Sequence, residues 1–114
     1  MRTRVLIVDD EEVICQLFAE MLKHYGYETL TETDATRVMD HLRTGQFDVL
    51  LLDLVMPHVC GFELLKQITR SYKDLPVIIV TGHGSIETAV AAMQSGASDF
   101  VTKPVDASVL DIRI

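Results

Sequence analysis

The sequence predicts an open α/β fold, one sheet of five parallel strands with helices on both faces. Three observations carry that prediction. Aliphatic runs recur at Val5 to Val8 (VLIV), Val49 to Leu52 (VLLL) and Val77 to Val80 (VIIV). Both alternating faces of each run are apolar, so each strand has to be covered on both sides, as in a parallel sheet between helices. Segments of helical period lie between the runs and end on glycines, so strand and helix alternate along the chain.

Taken in order, VLIV is the first strand. The first helix places Val13, Ile14, Leu17, Phe18, Met21, Leu22 and Tyr25 on one predicted stripe, with Gly26 as its stop. Tyr27 to Thr31 (YETLT) is the second strand, and its mixed character suits a sheet edge. The second helix carries Ala35, Val38, Met39 and Leu42 between an Asp34 N-cap and Gly45. After VLLL, the third helix places Phe62, Leu64, Leu65 and Ile68 on one face. After VIIV, the fourth places Ile86, Ala89, Val90 and Met93 on one face, capped by Ser85 and stopped by Gly96. Asp99 to Val101 (DFV) is the fifth strand, a second edge. A last helix from about Ala107 carries Val109, Leu110 and Ile112 and reaches Ile114 without a capping signal, as expected of a helix cut short. Right-handed crossovers then give the flavodoxin-like, doubly wound order 2-1-3-4-5. With 114 residues, 48% of them hydrophobic, the chain has enough for one core and not two, so residues 1–114 are expected to form one domain.

Bulk properties exclude several roles. A formal charge of −7 and a pI near 4.9 argue against nucleic-acid binding by this segment, which would need a basic surface to neutralise phosphates. No apolar run approaches the roughly 18 residues of a membrane span, and the opening MRTRVLIVDD reaches acid before a signal-peptide core forms. The expectation is a soluble, cytoplasmic protein without membrane contact. Cys15 and Cys60 lack a CxxC spacing and a disulfide-rich context, so both read as reduced thiols.

In open α/β sheets the ligand site lies beyond the carboxyl ends of the strands. Asp9 and Asp10 follow the first strand, Asp53 the third, Thr81 and Gly82 the fourth, and Thr102, Lys103 and Pro104 the fifth. Singly, each has an ordinary reading: acids at a helix N-terminus, a threonine ending a strand, a solvated lysine. Together they place three carboxylates, a hydroxyl and an ammonium on one edge. Carboxylates packed together repel, so one is protonated or a cation sits among them. Oxygen-only donors suit Mg²⁺, which keeps several waters and binds through one or two carboxylates plus a phosphate. Lys103 would neutralise phosphate oxygens opposite the metal. Asp53 is left as a nucleophile that can form an acyl phosphate.

VLIVDDEE, VLLLDLVMPHVCGFELL and VIIVTGHGSIETAVAAMQSGASDFVTKP together resemble the receiver domain of two-component response regulators, the chemotaxis-type fold, over nearly the whole chain. The resemblance implies that Asp53 is the phosphorylation site, accepting a phosphoryl group from the phosphohistidine of a sensor histidine kinase. It implies that Asp10, Asp53 and the Val55 carbonyl bind Mg²⁺, with Asp9 holding the ion through water, and that Lys103 pairs with the phosphoryl oxygens. Thr81 would swing to hydrogen-bond the new group, and Phe100 occupies the aromatic switch position, without the hydroxyl that a tyrosine there would bring. The Lys103–Pro104 bond would be cis, aiming Lys103 inward. The readout face would be helix four, strand five and helix five, used for homodimerisation or for docking an effector domain or protein.

Val55, two residues after Asp53, cannot orient an attacking water, which suggests a long-lived phosphoryl group; His83, two after Thr81, is the other flanking position that tunes its loss in this family. His58 and His83 read as solvent-exposed loop histidines, and His24 and His41 occupy helical positions with no partner legible in the sequence. Cys60 lies near the site with no evident base beside it. The protein is expected to be a switch with only self-catalysed phosphoryl transfer and autodephosphorylation, not an enzyme. A Mg²⁺-dependent aspartyl-phosphate hydrolase of the haloacid-dehalogenase kind needs a D-x-D after the first strand, where this chain has Asp9-Asp10. A flavodoxin-like cofactor binder needs a phosphate loop there, which is missing. The TGHGSIETAVAAMQSGASDFVTKP segment resembles receivers that precede transcription-regulator modules, including the NtrC and FixJ kinds; a stand-alone receiver, or one fused to a kinase or other enzyme, is the alternative.

Overall fold

The structure is a computed structural model, and it describes residues 2–56, 59–82 and 84–114. Five strands, β1 (Arg4–Val8), β2 (Glu28–Glu32), β3 (Val49–Leu52), β4 (Val77–Thr81) and β5 (Asp99–Thr102), form one parallel sheet in the order β2-β1-β3-β4-β5. That is the order expected of a flavodoxin-like winding. The helices are α1 (Glu12–His24), α2 (Val38–Thr44), α3 (Gly61–Ser71), α4 (Ile86–Gln94) and α5 (Ala107–Arg113).

The parity of the three central strands divides the core. Val5, Ile7, Val49, Leu51, Ile78 and Val80 face α1 and α5, where Cys15, Phe18, Ala19, Leu22 and Leu110 close over them. Leu6, Val8, Leu50, Leu52, Val77 and Ile79 face the other way, under Val38, Leu42, Leu64, Leu65, Ile68 and Ala92. Each fully buried aliphatic side chain contributes about 1.5–3 kcal/mol, so the three tetrads hold the frame that carries the loops.

Several local expectations shift. β2 starts one residue later than YETLT, at Glu28, and β5 runs one residue further, to Thr102. Asp34 accepts from the Thr36 amide as a cap, but the turn it caps is a 3-10 segment, Ala35–Arg37, ahead of the α-helix proper. The stripe read on α1 is rotated: Val13, Leu17 and Tyr25 are exposed, and the buried line is Cys15, Phe18, Ala19 and Leu22. Its small members carried little hydrophobic signal. On α4 only Ala92 is buried, while Ile86, Val90 and Met93 face solvent. The Ser85 cap on α4 is present, its hydroxyl accepting from the Thr88 amide at 3.1 Å. Gly26 and Gly96 both adopt positive φ just past their helices, where a side chain would be strained. A further feature, absent from the sequence reading, is a two-residue antiparallel pairing of Val55–Met56 with Val59–Cys60.

Candidate functional site

Register builds the site. Val8 pairs with Leu52 across β1 and β3, and the ladder continues one step past them, where the Asp53 amide donates to the Val8 carbonyl at 3.0 Å. Asp9 and Asp53 therefore leave neighbouring strands side by side. At the other edge Thr81 pairs with Thr102, and the next amide, that of Lys103, donates to the Thr81 carbonyl at 2.9 Å. The Lys103–Pro104 peptide is cis.

The Lys103 ammonium sits between the two carboxylates, 2.5 Å from Asp9 Oδ2 and 3.1 Å from Asp53 Oδ2. Asp9 and Asp53 are 2% and 6% exposed, and Thr81 is fully buried. The remaining carboxylate oxygens accept main-chain amides: Asp9 Oδ1 from Glu11 and Asp53 Oδ1 from Val55, each at 3.0 Å. Asp10 is exposed, and one oxygen from each of Asp9, Asp10 and Asp53 fits within 4.8 Å of the others.

Burial drives the Asp9 carboxyl above its ordinary value; hydrogen bonds from Lys103 and the Glu11 amide pull the other way, and the charge of Asp53 adds to the rise. Burial would lower the Lys103 ammonium, but its bonds to Asp9 and Asp53 and their charges outweigh that and raise it. Lys103 is thus a firm cation at neutral pH. One ammonium pairs with two of three converging carboxylates, which leaves oxygen donors in excess of positive charge, so the cluster can hold a hard divalent cation.

Gly61 explains how the loop after Asp53 is shaped. A Cβ there would lie 2.1 Å from the Leu54 carbonyl oxygen, so only glycine lets the start of α3 pass so close to the backbone that follows Asp53. Val55 is 51% exposed and points away from the core. Phe100 is half-buried against the core under α2, α3 and α4, and Gly84 in the β4–α4 loop lies close over Phe100 and Thr102. His58 and His83, and Pro57 of the Met56-Pro57 pair, fall outside the described residues.

Three features escaped the sequence reading. His41 has a partner, Glu32 Oε1 at 2.7 Å, and Glu32 also accepts the Asp34 amide at 2.9 Å. The net effect lowers the Glu32 carboxyl: burial raises it, but the His41 bond leads the opposing causes. Tyr27 donates to Asp111 on α5 at 2.6 Å. Cys15, read only as a reduced thiol, is buried and donates to the Asp9 carbonyl at 3.3 Å. Burial first, then the nearby Asp9 charge, pushes that thiol up to about 11. The Tyr27–Asp111 pair joins residues 84 positions apart, whereas Glu32–His41 and Asp9–Cys15 span nine and six positions but depend on how a helix is turned against the sheet.

A family model, the response regulator receiver domain, matches residues 5–114. A nitrogen assimilation regulatory protein NtrX of Azorhizobium caulinodans is 40% identical over 108 residues, covering 93% of this chain and 24% of the relative. A CAI-1 autoinducer sensor kinase/phosphatase CqsS of Vibrio cholerae is 37% identical over 110 residues, covering 94% of this chain and 16% of the relative. This chain therefore spans a quarter or less of those relatives' length. Among solved structures, a CheY-like receiver domain protein of Methanospirillum hungatei superposes with a TM-score of 0.92 at 29% identity, over 99% of this chain and 90% of that one.

Proposed function

The chain belongs to the response-regulator receiver family, whose members are phosphoacceptor signalling switches, and from that premise we propose that Asp53 is its acceptor. The observation that carries the reading is the Lys103 ammonium held between the buried carboxylates of Asp9 and Asp53, with Asp10 within reach of both.

The donor is the phosphohistidine of a sensor histidine kinase. A carboxylate oxygen of Asp53 attacks phosphorus; a P–O bond forms, the P–N bond breaks, and its electron pair leaves on the imidazole nitrogen. Such transfers pass through a loose transition state, so positioning and charge neutralisation do most of the work. Asp53 is prepositioned by its two hydrogen-bonded oxygens, and Lys103 neutralises charge on the transferred group. Asp10, Asp53 and the Val55 carbonyl would hold Mg²⁺, with Asp9 acting through water; the three converging oxygen donors fit that ion. When bound, it neutralises phosphoryl oxygens and templates the donor.

Phosphorylation shifts a conformational equilibrium only through contacts that differ between states. Thr81, buried at the end of β4, would donate to a phosphoryl oxygen; Lys103 would move from the carboxylate to the new group, and Phe100 would repack with the β4–α4 loop. The surface so altered comprises α4, β5 and α5. Ile86, Val90 and Met93, exposed on α4, support its use in docking an effector or a second copy of the chain. Residues 1–114 would then be one receiver unit in the cytoplasm, most simply controlling a transcription module, with fusion to a kinase as the alternative. Among the described residues no helix is long and apolar enough to cross a membrane.

Incubation with acetyl phosphate and Mg²⁺ tests this reading. It predicts one phosphoryl group per chain, lost in Asp53→Asn, with release of phosphate limited to decay of that adduct; repeated turnover of phosphate esters would overturn it in favour of a hydrolase.

A further inference from the structure

The carboxylates of Asp9 and Asp10 are adjacent in sequence yet differ in setting, one buried and one exposed. What fixes their relative position is the peptide between them. Asp10's side chain makes no hydrogen bond or ion pair among the described residues, so its placement depends on the main chain.

We propose that Cys15 is a positioning residue for the acidic loop, its thiol holding the peptide that joins Asp9 to Asp10. Cys15 lies near the start of α1, where side chains lean back toward the helix N-terminus and so toward the preceding loop. It is 1% exposed, and its Sγ donates to the Asp9 carbonyl at 3.3 Å. The other peptide flanking Asp9 is tied as well, its amide donating to the Glu32 carbonyl at 3.2 Å. Glu32's carbonyl also lies 4.0 Å from Cys15 Sγ, so thiol, loop and the end of β2 meet at one place. Because a peptide is planar, the Asp9 carbonyl and the Asp10 amide rotate together. Anchoring the carbonyl therefore sets the direction in which the chain delivers the Asp10 carboxylate. A hydrogen bond made to a main-chain carbonyl behind the site acts through Asp10 and touches no phosphate, so the role is one of positioning.

The role of the loop as a metal site rests on the proposed function, and the test separates the two. Whole-chain variants are compared in two size-matched pairs, Cys15→Ser against Cys15→Ala and Cys15→Thr against Cys15→Val, which within each pair differ mainly in a donor. Calorimetric Mg²⁺ affinity is expected to be about tenfold weaker in the alanine and valine variants than in their hydroxyl counterparts, the scale of outer-shell changes at metal sites. In metal-free protein the Asp10 amide resonance should stay near its wild-type position in the serine and threonine variants and move in the other two. The second pair carries the test if alanine does not fold. Equal Mg²⁺ affinity within the pairs, or an Asp10 amide that moves alike in both members, overturns the role. If the wild-type protein binds no Mg²⁺, the metal reading fails and the Asp10 resonance alone decides the role of Cys15.

Discussion

Replacing Lys103 by methionine keeps much of the side-chain volume and removes the ammonium that lies 2.5 Å from Asp9 and 3.1 Å from Asp53. The side chains of these two acids are only 3% and 8% exposed, so they would be left as neighbouring buried charges without a counter-ion. Breaking a buried ion pair by deleting one partner costs about 3–5 kcal/mol. Lys103 keeps 17% of its side-chain surface in water, which places the effect at the lower end, about 3 kcal/mol at pH 7 without divalent ions. With a urea dependence of about 2 kcal/mol per molar, the midpoint should fall by about 1.5 M. The pH dependence has a definite sign. Asp9 is already raised above its ordinary value of 3.8, so stability is undiminished below that value and lost as pH rises through the folded one. Removing Lys103 raises Asp9 further, so the gap between wild type and variant should be widest at neutral pH and close as pH falls toward 4. Urea unfolding followed by circular dichroism across that range measures it. A gap that is absent, or constant with pH, would refute the claim that Lys103 neutralises these carboxylates.

Three further outcomes follow from particular contacts. Gly61→Ala drives a Cβ against the Leu54 carbonyl and should cost about 3 kcal/mol in urea unfolding, whereas an unchanged midpoint would mean that the loop after Asp53 relaxes freely. Tyr27→Phe removes the 2.6 Å bond to Asp111 and should cost about 1 kcal/mol at pH 7. The Tyr27 phenol is pushed up to about 12, first by that bond, so wild type should lose stability as pH rises from 10 through that value, and the variant should lose less. Val55, exposed and aliphatic beside Asp53, offers no group to orient water, so the phosphoryl group on the isolated domain should survive for minutes or longer; decay within seconds, timed by phosphate release, would rule that out.

The frame was legible because a strand covered on both faces must be apolar at every position, and VLIV, VLLL and VIIV satisfy that condition without ambiguity. Helix faces were less so. On α1 the buried line includes Cys15 and Ala19, while Val13 and Leu17 are exposed, so counting large apolar residues rotates the helix. On α4 the same count favours Ile86, Val90 and Met93, the residues on its open face, over the small buried Ala92. The acids were found because each ends a strand whose position in the sheet the pattern had already set. Lys103 and Asp9 are 94 positions apart, so their contact is visible only through strand order and register. The Glu32–His41 and Cys15–Asp9 contacts depend on how α1 and α2 are rotated against the sheet, which the periodicity of those helices left open or misplaced.

Locating the phosphoryl group bears most directly on the central claim. After brief exposure to acetyl phosphate with Mg²⁺, peptide mapping by tandem mass spectrometry should place a single acid-stable, base-labile adduct on Asp53, with none in metal-free samples or in Asp53→Asn. An adduct on Asp9 or Asp10, or on any residue in Asp53→Asn at the wild-type rate, would contradict the assignment of Asp53 as acceptor.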